Sequence, residues 1–336
     1  MLFVAAFLFA QSPLLNAQGA GKLVATAPIE NAVPAKTSAP AAFEVKVVSE
    51  SEAEKEYVYA SPHFSFTCNR RLTPRVVAGF AKIYEGTYEA VKEMPWGMEL
   101  DPKDPDGLFE VKLFTDEADF LSAGGTKGSA GTAKGALSLV QLQYIGVKDT
   151  GSRLILEDVK DNSVIVHELT HALRNKADSD FPTWAIEGFA EYVASAPYDR
   201  SGRFSFQNPM KSVVSYIKAN HAVSGSFEVP LPLKDFFASD RATFYQDKEG
   251  GLGKKANLYY VTANLVITYL WHGDKGKTGK GPVGGPVRAW LKAIHGGESK
   301  ENAMKALLDG RTPEEMEKEI IAAYRGDLKL SFKKGG

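Results

Sequence analysis

Apolar residues change their spacing several times along the chain, and each change marks an element. Residues 43–48, 57–59 and 63–68 alternate between apolar and polar, which predicts half-buried strands. From Pro74 the spacing lengthens. Val76, Val77, Phe80, Ile83, Tyr84, Thr87, Tyr88 and Val91 recur at three and four, the stripe of an amphipathic helix that ends before Pro95. Alternation returns over 109–114, a short helix is expected from Asp116 through Leu121, and 137–142 reads as a further strand. The intervening 123–135 holds five glycines and reads as loop.

The second half is mostly helical by the same test. The stretch around 163–173 is apolar enough for a buried helix, capped by Asp161 or Asn162 and running to about Asn175. A loop through Asp178, Ser179, Asp180 and Pro182 leads into a helix over 184–192. Residues 197–253 scatter aromatics and prolines among polar residues. A helix is expected near 210–219, and the region is expected to form one wall of a cleft. Residues 257–270 make a strongly apolar helix, and 287–295 another. Thr312-Pro313-Glu314-Glu315 combines an N-cap, a proline at the first helical position and a glutamate at the third, so a last helix runs through Tyr324. The fold class this predicts is α+β: an N-terminal lobe of mixed sheet and helices over 43–160, a helical core over 161–272, and a helical C-terminal scaffold over 273–336.

The chemistry sits in that helical core. His167-Glu168-Leu169-Thr170-His171 is HExxH, and residues four apart share a helical face, so both imidazoles can reach one metal ion. Glu168 then stands beside the ion, placed to take a proton from water. A catalytic zinc takes three protein ligands and keeps a fourth position open, so one more ligand is required. The downstream helix offers it. In Glu187-Gly188-Phe189-Ala190-Glu191 two carboxylates stand four apart, one to bind Zn2+ and one to accept a hydrogen bond from the free nitrogen of a ligand histidine. Histidines and a glutamate inside so apolar a helix would be costly unless something satisfies them, and a metal does.

HELTH followed by Pro182-Thr183-Trp184-Ala185-Ile186-Glu187-Gly188-Phe189-Ala190-Glu191-Tyr192 resembles the gluzincin branch of the HExxH metallopeptidases, and within it the peptidase-MA-like family. The resemblance is close over 161–195 and looser elsewhere. It implies a zincin-like fold with the zinc cleft between two lobes, a peptide or protein substrate, and Zn2+ held by His167, His171 and Glu187. It further implies Glu168 as general base and Glu191 as an acidic partner of a ligand histidine. A tyrosine near the start of the apolar helix stabilises the oxyanion in related proteins, which points to Tyr260, with Tyr259 as the second choice. A strand in the place of 128–142 forms the upper rim of the cleft there and pairs with extended substrate. Arg174 and Ala177 occupy the positions where a metzincin has glycine and histidine. No G-x-M-E-N motif precedes HELTH, which argues against a standard aminopeptidase.

Composition narrows the partners. Forty basic against 41 acidic residues leave no field for nucleic acid or an anionic membrane. Residues 2–10 are an apolar run too short to span a bilayer comfortably, and Leu15-Asn16-Ala17 suits a cleavage site. Residues 1–17 therefore read as an export signal, with an uncleaved anchor as the rival reading. Residues 18–42, rich in Ala and Pro, read as a disordered linker. The single cysteine, Cys68, excludes an internal disulfide and is expected to be a small buried strand residue. His63, His221, His272 and His295 have no ligand-like sequence neighbours and are expected to be structural or exposed. Three functions remain open: an exported zinc peptidase, an inactive zinc-binding scaffold of the same fold, and a hydrolase of a non-peptide or cell-wall amide.

Overall fold

A computed structural model describes residues 23–102, 104–151, 153–157, 162–221, 223–244 and 254–334. The expected signal, 1–17, lies outside them, as does 18–22 of the expected linker. The rest of that linker is ordered, which corrects the sequence reading. Val24–Ala25 pairs antiparallel with Glu99–Leu100, and Lys36–Ser38 with Arg203–Ser205. Ile29, Thr37 and Ala39 are buried in the process. The segment lacks any period of its own because each piece is held by a distant part of the chain.

A mixed sheet of six strands forms the base of the N-terminal half. Its order is Lys46–Ser51, Glu56–Ala60, Phe64–Cys68, Phe109–Phe114, Leu137–Gln141 and Gly131–Lys134. The Phe64, Phe109 and Leu137 strands run parallel, and the others add antiparallel. The strand Gly131–Lys134 falls inside the glycine-rich stretch expected to be loop. It forms because Leu137–Gln141 offers it a paired edge, while Gly124 and Gly128, both at positive φ, turn the chain back. Cys68 is buried in its strand, and burial pushes its thiol up to about 11.

Helix α1 (Pro74–Glu93) starts on the Thr73 hydroxyl, which accepts from the Val76 amide, and lays Phe80 and Tyr84 edge-on against Phe66. Its Glu85 is fully buried and accepts from the Ser61 hydroxyl at 2.6 Å and from the His63 ring at 2.6 Å. The short helix α2 (Glu117–Ser122) is capped by Asp116. Helices α3 (Ser163–Asp178) and α4 (Thr183–Ala194) follow, and α3 runs three residues beyond the expected end. The poorly patterned region contains α5 (Pro209–Asn220), α6 (Leu233–Ala238) and α7 (Arg241–Phe244).

Helix α8 (Lys254–His272) crosses α4, and Gly188 is the reason they approach so closely. A Cβ there would lie 2.9 Å from the Ala263 carbonyl oxygen. The chain closes with α9 (Gly285–His295), α10 (Lys300–Leu308) and α11 (Pro313–Tyr324), the last on the expected Thr312–Glu315 capping box. Arg311 grips buried Asp274 through two 2.9 Å bonds, tying these helices to the end of α8. One feature of this scaffold is not helical: Lys329–Phe332 pairs parallel with Ser226–Val229. One hydrophobic core cluster runs from the sheet through α11.

Candidate metal centre

Buried α3 places His167 and His171 on one face, with ring centroids 4.7 Å apart. The packing of α4 on α3 then brings Glu187 against them. The Nε2 atoms of the two histidines are 3.1 Å apart, and Glu187 Oε2 lies 3.2 Å from each. Among the described residues this is the one cluster of three that could hold a metal ion. The spacing tests the fit. Donors about 2.0–2.1 Å from a tetrahedral ion stand roughly 3.3 Å from one another, so the triangle has the right size.

The electrostatics point the same way. Burial works against the charged form of His167, yet Glu187 and Glu191 raise its pKa well above the ordinary histidine value. Against the same burial, Glu187 and Asp178 raise His171 to about 9. Glu187 would be pushed up by burial, but the two histidines hold its carboxyl well below the carboxylate range. The cluster stabilises positive charge at its centre, and a cation can satisfy all three donors at once where a proton serves only two.

Glu168 points into the same cleft without joining the triangle. Its Oε2 accepts from the Ala133 amide at 2.8 Å, so the edge strand Gly131–Lys134 holds the carboxylate in place. The cleft has a volume of about 480 Å³ and is lined by both histidines, Glu168, Glu187, that strand, Arg241 and Tyr260. Tyr260 stands with its ring 5.6 Å from that of His167. Tyr259 instead packs on Phe236 and Phe244 in the wall. Arg241 is the contribution of the poorly patterned region to the cleft.

Behind the triangle lies a second layer. Glu191 Oε1 is 3.1 Å from Nδ1 of His167, and the histidine in turn helps hold the Glu191 carboxyl down at about 2 against burial, which favours the neutral acid. The other oxygen of Glu191 is 3.7 Å from His221 Nε2, so of the two expected readings, structural or exposed, His221 takes the structural one. The remaining three have partners elsewhere: Glu85 for His63, the Tyr192 hydroxyl for His272 and the Trp96 carbonyl for His295.

His171 also has an acid behind it, one the motif does not contain. Asp178 Oδ2 is 3.4 Å from His171 Nδ1, and its other oxygen is 3.0 Å from Nη2 of Arg174. Arg174 is fully buried, its guanidinium 4.6 Å from the Phe189 ring centre and 5.0 Å from that of Trp96. The signal was present in the spacing: Asp178 follows His171 by seven residues, two turns along the same face, with Arg174 between. Asp178→Asn is expected to lower metal affinity about 10- to 100-fold, because the carboxylate orients the ring and increases its basicity. Competition against a chromophoric chelator measures it, and an unchanged affinity would reduce Asp178 to a partner of Arg174 alone.

The chain matches no family model, no curated protein and no solved structure.

Proposed function

We propose that this chain is an exported zinc metallopeptidase of the gluzincin, peptidase-MA-like kind, with a zincin-like fold. The observation that carries the reading is the His167–His171–Glu187 triangle with Glu168 held beside it by the Ala133 amide. Two histidines and a carboxylate are the ligand set of zinc peptidases that leave one position open. Zinc bound there supplies Lewis acidity toward a carbonyl oxygen and lowers the pKa of water at the open position.

The chain's own residues do the rest. Ala133 occupies one oxygen of Glu168, so the other, Oε1, takes a proton from the attacking water and returns it to the leaving nitrogen. The hydroxyl of Tyr260 donates to the oxygen on which negative charge develops. Extended substrate lies along Gly131–Lys134, the outer strand of the sheet on the cleft side, through backbone hydrogen bonds. Water adds to the carbonyl carbon, the C–N bond breaks, and a carboxylate and an amine leave. Export rests on residues 1–17. Among the described residues no helix is long and apolar enough to cross a membrane.

The test is hydrolysis by zinc-loaded protein of casein and, separately, of peptidoglycan, with and without a zinc chelator. Casein fragments that disappear with the chelator and return with added zinc are the expected result. Release from peptidoglycan alone would move the substrate to a cell-wall amide. Stoichiometric zinc without any hydrolysis would leave a binding scaffold.

A further inference from the structure

Beside the metal cleft opens a larger cavity of about 820 Å³. The two adjoin: Ser179, Thr183 and Arg241 line both. Thr183 precedes Glu187 by one helical turn, so the shared wall lies about 6 Å along α4 from that residue. An extended peptide covers that distance in about two residues.

Four separate parts of the fold give the cavity its apolar walls. The loop before α4 gives Phe181, α6 gives Phe237, α9 gives Trp290 and Ile294, and α10 gives Met304. Its aromatic walls are themselves packed, with Phe181 and Trp290 ring centres 5.6 Å apart and Phe237 4.9 Å from Trp184. The walls are therefore fixed, with Phe181, Phe237 and Trp290 buried in them and half-buried Ile294 and Met304 facing the cavity. The rim carries three bases and four acids, a mixture that selects neither an anion nor a cation. Apolar walls and a charge-balanced rim, beside a cleft proposed to cut extended chains, suit one occupant: a large uncharged side chain of the bound peptide.

We propose that this cavity is the specificity pocket of the site and takes a bulky apolar side chain, of the Leu, Met, Phe or Trp class, one or two residues from the scissile bond. The inference rests on the peptidase reading for its substrate but can be tested without turnover. The probes are two fluorescent peptides of about ten residues, identical but for one Phe or Ala. They are titrated against the full zinc-loaded chain carrying Glu168→Gln, so that neither is cut. The Phe peptide is expected to bind about 10- to 100-fold more tightly, the range that burying one such side chain supplies.

Two fillers then locate the preference. Ala238, exposed at the end of α6, and Met304, half-buried on α10, both line the cavity. Ala238→Trp or Met304→Trp is expected to remove the preference for Phe while leaving affinity for the Ala peptide and for zinc unchanged. Equal binding of the two peptides to the unfilled protein would overturn the proposal. So would a preference that survives both fillers in proteins of unchanged melting temperature. The two readings fail separately. A Phe preference erased by the fillers, in a wild type that cleaves no peptide, keeps the pocket and removes the peptidase. Cleavage indifferent to bulky residues keeps the peptidase and removes the pocket.

Discussion

Glu168→Gln and the wild type are both expected to bind about one zinc per chain, and the variant to lose roughly 10²- to 10⁴-fold in kcat/KM, the usual worth of a positioned general base. The separation of the two effects follows from the geometry. Glu168 lies outside the donor triangle, so its replacement leaves His167, His171 and Glu187 untouched. The amide oxygen of glutamine can still accept the 2.8 Å bond from Ala133, so the side chain stays where it was. What changes is that neither of its end atoms can take a proton from water. Elemental analysis for zinc and peptide hydrolysis, made on the same preparation, read the two effects apart. A variant that keeps both zinc and full activity would place the base elsewhere and undo the mechanism proposed here.

The parts of this fold visible in the sequence are those whose cause is local. The α1 stripe, the HExxH helix, the α4 helix and the Thr312–Glu315 cap each depend on residues within a few turns, and each forms at its expected place, the HExxH helix running three residues longer. The parts that escaped depend on distant partners. Lys36–Ser38 becomes a strand because Arg203–Ser205 pairs with it, and nothing within 18–42 signals that. Gly131–Lys134 looks like loop by its glycines, and only the edge of Leu137–Gln141 makes it a strand. The candidate site divides the same way. His167, His171 and Glu187 converge as the motif implies, whereas His221, the residue after α5, comes beside Glu191 only through the packing of α5 on α8. For Asp178 the reason differs: its spacing was legible, but an aspartate at a helix end has the everyday reading of a solvated terminus, and only buried Arg174 beside it overrules that.

Glu187→Ala is the change expected to cost the most metal. The triangle has no spare donor. Glu191, one turn along α4, is already committed to Nδ1 of His167 and to His221, on the far side of the imidazole from the metal position. Glu168 is held by Ala133. Two histidines alone leave half of a tetrahedral shell to water, and the buried negative charge that offsets the ion is gone. Zinc per chain after dialysis against a weak chelator is expected to fall from about one to near zero, and the rise in melting temperature on adding zinc should vanish with it. Glu191→Ala makes the contrast. It removes a carboxylate of equal charge one turn away, yet it should keep its zinc at an affinity about 10- to 100-fold lower, since it loses only the group behind the histidine. If the two variants lost zinc equally, net buried charge rather than direct ligation would be holding the ion, and Glu187 would lose its place as the third ligand.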